Sequence, residues 1–293
     1  MRALATAGIE SLIVKGWTAA RLYAEPGLRP YGDIDVCVAP EQHSAAQAAL
    51  AEPAPPVNVD LHRGLAVNRR VIPDLPSFEE ALERAERVRL EDLEVTILAP
   101  EDHVALLCVH LLSHGVWRPL WLCDVAAAVE SLPDDFDWDR CLGRSRRLAT
   151  WVGATLTLAG HLLGATPNKA PPRLGPTPRW LEPTVLKQWS SPRSHYPGDL
   201  VGLPTGRYFR PSRALRVVRA NWVNPIQAAM FPGASLTARP RLLFQLRFVA
   251  WKAVRLVRGF SRDVRRQAVS SGFVERRDRV EDPRPQSDSF RKG

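Results

Sequence analysis

The rhythm of apolar residues changes once along this chain, at Pro100, and that change limits the fold more than any other feature. Before it, short apolar runs alternate with helix-like stretches. Leu12-Ile13-Val14 is halted by Lys15-Gly16, which predicts a buried strand entering a turn. Ile34 to Ala39, Val57 to Leu61 and Leu93 to Leu98 read as three more strands. Between them, Thr18 to Ala24, Glu41 to Glu52 and Phe78 to Arg87 have helical composition, and Met1 to Gly8 reads as the end of a helix. After Pro100 the strand signal stops. Glu101 to His114, Leu120 to Leu132, Trp138 to Leu142 and Ala149 to Leu163 all carry helical spacing. Pro-rich loops follow from Pro167 to Pro183, then helices over Arg213 to Ala220 and Arg239 to Arg262. The expected class is α+β: a small mixed sheet with flanking helices, then a mainly helical half. The expected division is an α/β core over 1–99, a helical domain over 100–269 and a disordered basic tail over 270–293.

Composition narrows the setting. With 45% apolar and 24% charged residues the chain can bury a core. No apolar run is long enough to span a bilayer. Met1 to Lys15 lacks the apolar core of a signal peptide, so a cytoplasmic location is expected. Cys37, Cys108, Cys123 and Cys141 form no C-x-x-C pair and match no zinc spacing, so reduced, buried thiols are expected. The net charge of +9 is uneven. Residues 201–293 hold 20 Lys/Arg against 6 Asp/Glu, while the first 200 hold 20 against 25.

The chemistry concentrates in the acidic front. In Arg29-Pro30-Tyr31-Gly32-Asp33-Ile34-Asp35, two aspartates sit two apart at a strand, where side chains alternate between faces. Carboxylates held side by side repel unless a cation lies between them, and a divalent metal serves. Mg²⁺ favours carboxylate and phosphate oxygens. Asp60, in Val57-Asn58-Val59-Asp60-Leu61-His62, is placed to be a third acid. Gly16 lets backbone approach a ligand at the strand-to-helix turn. The helix start, the Thr18 hydroxyl, and the cations Lys15 and Arg29 all suit phosphate. The set describes phosphoryl transfer: metal-clamped phosphates with a carboxylate beside the attacking hydroxyl.

The run Lys15-Gly16, then Arg29-x-x-Gly32-Asp33-Ile34-Asp35, resembles the signature of the DNA polymerase β-type nucleotidyltransferase superfamily. Within it, the chain is most similar to the bacterial "uncharacterised nucleotidyltransferase" family. Val59-Asp60-Leu61-His62, Pro100-Glu101-Asp102 with Cys108-Val109-His110-Leu111-Leu112-Ser113-His114, and Trp121-Leu122-Cys123-Asp124-Val125-Ala126 match that family in order, over roughly residues 10–260. The resemblance implies transfer of a nucleotidyl group from an NTP, expected to be ATP, with pyrophosphate leaving. It implies Asp33, Asp35 and Asp60 as catalytic and metal-binding residues with Mg²⁺, Asp60 helping to activate the acceptor hydroxyl. It implies Lys15, Gly16, Thr18, Arg29 and Gly32 around the nucleotide. Two features depart from the pattern. Trp17 follows Gly16 where the superfamily usually has Ser or Gly, and only fourteen residues precede Lys15 where members tend to carry a helix.

The acceptor is open at this stage: a hydroxyl or phosphate of a small molecule, peptide or protein. Alternatives are tRNA, as in toxin-like relatives, and a catalytically inactive protein that binds a nucleotide or partner. His110 and His114 share a helical face, and with His62 they are candidates for an acceptor pocket. A zincin pair is disfavoured because Leu111, not glutamate, follows His110. Structural packing is the alternative for both histidines, and His103 is expected at the surface. Trp117, Trp121 and Trp151 lie on apolar helical faces, with core packing as the default and base stacking as the alternative. Arg239 to Arg262 is a basic amphipathic stretch, and Arg213, Arg216 and Arg219 add to its field. It suits an ordinary domain helix, a nucleic-acid surface, or a peripheral contact with an anionic membrane or partner.

Overall fold

The computed structural model describes residues 1–25, 27–51, 57–65, 75–90, 92–143, 145–171, 175–190, 223–231, 234–237, 242–251 and 254. The strands are β1 (Ser11–Val14), β2 (Ile34–Val38), β3 (Val59–Arg63), β4 (Glu86–Leu90) and β5 (Leu93–Ile97). They form one mixed sheet in the order β3-β2-β1-β5-β4. β1 is antiparallel to β2 and parallel to β5, β2 is parallel to β3, and β4 closes the far edge antiparallel to β5.

Alternation sorts the central strands into two faces. Leu12, Val14 and Cys37 join the main core, while Ile13, Val36 and Val38 point the other way. That second face is covered by α1 (Arg2–Thr6) and α3 (His43–Ala49) through Leu4 and Ala46. Trp17 packs there too, beside Ile13, Val95 and Ile97. The first face is covered by the helical half: α5 (Pro100–Ser113), α6 (Pro119–Glu130), α7 (Trp138–Leu142) and α8 (Arg146–Leu163). One continuous core runs from Leu12 and Val14 through Leu107 and Leu111 of α5 to Trp151 of α8. The remaining helices are α2 (Gly16–Ala20), α4 (Phe78–Glu83), α9 (Leu181–Trp189) and α10 (Pro225–Met230). The chain divides into two compact units, Met1–Gln245 and Leu246–Gly293, and all these elements lie in the first.

The expected α+β class is the observed one, with three local differences. The charged helix expected over Phe78 to Arg87 stops at Glu83, and Glu86–Leu90 is instead edge strand β4. Ser77 and Glu80 form a reciprocal capping box that starts α4. Beyond it, Val88 and Leu90 pack on the sheet while Glu86, Arg87 and Arg89 take the polar positions suited to an exposed edge. Helix α9 lies at the end of the stretch expected to be loop. Its Pro183 falls in the first turn, where a missing N–H costs nothing. His103 is buried, not at the surface, because the start of α5 is enclosed. There Asp102 receives Arg84 at 2.9 Å and Glu101 accepts the Asp137 N–H at 3.0 Å. The helix expected at Arg213–Ala220 and the tail expected from Ser270 lie outside the described residues.

The turn between α5 and α6 is held in a left-handed conformation, with φ of 74° at Gly115 and 57° at Val116. A positive φ at a buried β-branched residue is strained. Asn224 Nδ2 donates to the Gly115 carbonyl at 2.8 Å, and Trp189 Nε1 donates to that of Val116 at 2.7 Å. A Cβ on Gly115 would stand 2.6 Å from Asn224 Nδ2. Gly115→Ala is therefore expected to cost about 2–3 kcal/mol, from overpacking and from the φ penalty together. A urea midpoint unchanged from wild type would show that the turn relaxes without loss.

Candidate active site

The register of the sheet builds the site. Val14 faces Asp35 across β1 and β2, and Asp35 faces Asp60 across β2 and β3. One step on, Cys37 faces His62. Asp35, Asp60 and His62 therefore share the face that α5 covers, while Ile34, Val36, Val59 and Leu61 point to the opposite core. His62 Nε2 lies 2.8 Å from Asp35 Oδ1 and 3.2 Å from Asp60 Oδ2. One ligand atom from each of the three residues falls within 4.8 Å of the others. Asp35 is buried and Asp60 is half exposed, so the group spans from core to surface.

Lys15 completes the set. It ends β1 and caps α2 at φ 55°, an unusual angle for a residue with a side chain. Its Nζ sits 2.6 Å from Asp35 Oδ1. Burial pushes the Asp35 carboxyl up, but the His62 hydrogen bond and the Lys15 charge outweigh it and hold the group below the usual range. Gly16 follows, buried under the loop that delivers Asp33. A Cβ there would stand 3.4 Å from the Asp33 carbonyl and 3.8 Å from Asp35 Oδ2. Glycine thus lets the two segments meet closely.

The other predicted residues take different places. Asp33 ends the loop before β2, half-buried, and is outside the Asp35, Asp60 and His62 group. Thr18 is buried, and its hydroxyl donates to the Ile13 carbonyl at 3.2 Å, inside the fold. Gly32 is exposed. Arg29 is buried and forks onto Asp124 of α6, with Nε–Oδ1 at 3.0 Å and Nη2–Oδ2 at 2.7 Å. Tyr23 donates to the same carboxylate at 2.9 Å. Burial and then the Asp124 charge push the Tyr23 phenol up. Arg29 thereby ties the loop carrying Asp33 to the helical half. Sequence reasoning missed this partnership. The signal was there, since Asp124 sits in the middle of an otherwise apolar stretch of α6 and needed a buried cation.

His110 and His114 meet the Trp121 ring edge-on, with ring centroids 4.5 Å and 5.1 Å away. Trp117 extends the group, and Arg118 lies over both indoles. Burial, then the Lys15 charge, pushes His110 well below its usual range and His114 to about 4. His103 is likewise pushed to about 4, mainly by burial. These histidines stay neutral in the folded chain while the unfolded chain protonates near pH 6.5. Each thus adds stability above that pH, and for His103 and His114 it is lost as pH falls from about 6.5 to about 4. For His103 the expected loss is about 2 kcal/mol between pH 7 and pH 5. Urea unfolding at the two pH values checks this, and His103→Leu should reduce the difference.

The family model described as "Uncharacterised nucleotidyltransferase" matches residues 1–54 and 52–164. The chain belongs to that family. The matched span carries Lys15, Asp35, Asp60, His62, His110, His114 and Asp124 together. A solved structure described as an antigenic nucleotidyltransferase-like protein from Paracoccidioides brasiliensis is similar at 14% identity and a TM-score of 0.41. That match covers 56% of this chain and 87% of that one. The search of curated proteins gives no match. Among the described residues, no helix is long and apolar enough to cross a membrane.

Proposed function

We propose that this nucleotidyltransferase family member transfers a nucleoside monophosphate from an NTP, with ATP the first candidate, to a hydroxyl or phosphate of a small-molecule, peptide or protein acceptor. The observation that carries the reading is the convergence of Asp35, Asp60 and His62 beside Lys15 on one sheet face.

The donor set fits a divalent ion. Two carboxylates suit Mg²⁺, and the imidazole nitrogen adds affinity for ions such as Mn²⁺. Lys15 and His62 both reach Asp35 at Oδ1. An ion held by Asp35 and Asp60, with His62 beside them, would polarise the triphosphate and neutralise charge on the leaving pyrophosphate. Asp33, at the mouth of the loop, would join through the nucleotide. Lys15 would hold Asp35 ionised and offer its charge to a phosphate. Asp60, exposed to solvent, would take the proton of the acceptor hydroxyl as its oxygen bonds to the α-phosphorus and pyrophosphate departs. Gly16 would let the triphosphate approach the backbone. His110 and His114, uncharged and edge-on to Trp121, would line the acceptor side with an aromatic wall.

The test is incubation of the full chain with each α-labelled NTP, Mg²⁺ or Mn²⁺, and separate acceptor pools of metabolites, proteins and total tRNA. Label on a metabolite or protein, lost in Asp35→Asn, supports the reading. Label on tRNA moves the acceptor class to RNA. Nucleotide binding without transfer in every pool, unchanged by Asp35→Asn, points to an inactive binding protein.

A further inference from the structure

Residues 242–251 are helical, and they expose their aliphatic side to water. Leu242 and Leu243 are each 55% exposed, Leu246 46% and Val249 36%, with Val254 at 48% beyond them. On helical spacing these five fall in one sector of about 140°. Phe244, Phe248 and Trp251, which are only half exposed, fall on the other side. Beyond the described helix the sequence carries Lys252, Arg255, Arg258 and Arg262. From Arg239 to Arg262 the chain carries seven Lys/Arg and no Asp or Glu.

We propose that the helix over residues 242–251 docks the protein on an anionic bilayer surface. An exposed aliphatic sector of this width on a segment rich in cations suits a helix lying in the headgroup plane. The aliphatic side enters the acyl boundary and the cations meet anionic headgroups. Nucleic acid would answer the cations and the aromatic rings but leave the exposed aliphatic sector in water. A second copy of the same segment would set seven cations against seven, which opposes pairing through this face.

The experiment is co-sedimentation of the full chain with vesicles of phosphatidylcholine alone or of equimolar phosphatidylcholine and phosphatidylglycerol. Binding is expected to the second and not the first, and to weaken with added salt. Leu242→Glu with Leu246→Glu is expected to weaken it about a hundredfold or more, because both side chains must leave water. Arg247→Gln is expected to weaken it about fivefold, the effect of one headgroup contact. All three positions are exposed, and circular dichroism confirms that the variants keep their helix. No binding to anionic vesicles overturns the proposal, as does equal binding by the double leucine variant. Retention on total RNA that depends on Arg247 and ignores the leucines, with vesicles left unbound, would make this a nucleic-acid surface instead.

Discussion

Asp35→Asn is expected to lower Mn²⁺ affinity more than about a hundredfold, as expected for loss of a direct ligand where even supporting partners cost up to that much. Nucleotidyl transfer should fall by about a thousandfold. The same change also costs stability, about 3 kcal/mol, because it leaves the Lys15 ammonium buried with its main partner neutralised. The two effects separate in a double variant. Lys15→Met with Asp35→Asn should regain most of the stability while metal binding stays lost, since the uncompensated charge is gone but the ligand is not restored. Titration calorimetry and urea unfolding read the two quantities independently. If Asp35→Asn binds Mn²⁺ like wild type, the carboxylate is only the counterion of Lys15. The pH dependence has a defined sign. Asp35 is held below its unfolded value, so its contribution is present above about pH 4 and is lost as pH falls through the folded value.

Asp124→Ala should produce the largest loss of stability away from the carboxylates, about 3–5 kcal/mol. Asp124 is 1% exposed and takes a forked pair from Arg29 together with the Tyr23 hydroxyl. Removing it strands a buried guanidinium. Thermal unfolding should begin roughly 10 °C lower. Replacing both partners with apolar residues, Arg29→Met and Asp124→Leu, should recover much of the loss, because a buried pair exchanged as a unit is close to neutral. A loss under about 1 kcal/mol in Asp124→Ala would mean that the pair does not anchor the loop to α6.

The contrast between Asp35 and Arg29 shows how far residue patterns reach. Asp35 was legible because strand alternation and a nearby second acid are local facts, and the sheet register then set it opposite Asp60. His62 was legible as a neighbour of Asp60 on the same face, but its bond to Asp35 needed the parallel pairing of β2 with β3. Arg29 and Thr18 looked like phosphate ligands because cations and hydroxyls near a glycine turn suit phosphate. Their partners, Asp124 and the Ile13 carbonyl, are set by packing. Asp33 was paired with Asp35 by spacing, yet the strand begins one residue after it, and a loop residue need not follow the alternation.

The sequence by itself determined the class of fold, the break at Pro100, the short strands and helices, and the acids at β2 and β3. Each follows from periodicity, branching and capping, which act within a few residues. Tertiary structure decided which groups meet. It enclosed the start of α5 and so buried His103, turned Glu86–Leu90 into an edge strand, joined Arg29 to Asp124 across 95 positions of chain, and set His110 and His114 edge-on to Trp121. Those outcomes depend on desolvation. A buried charge must find a partner wherever the fold brings one, and no local pattern states where that will be.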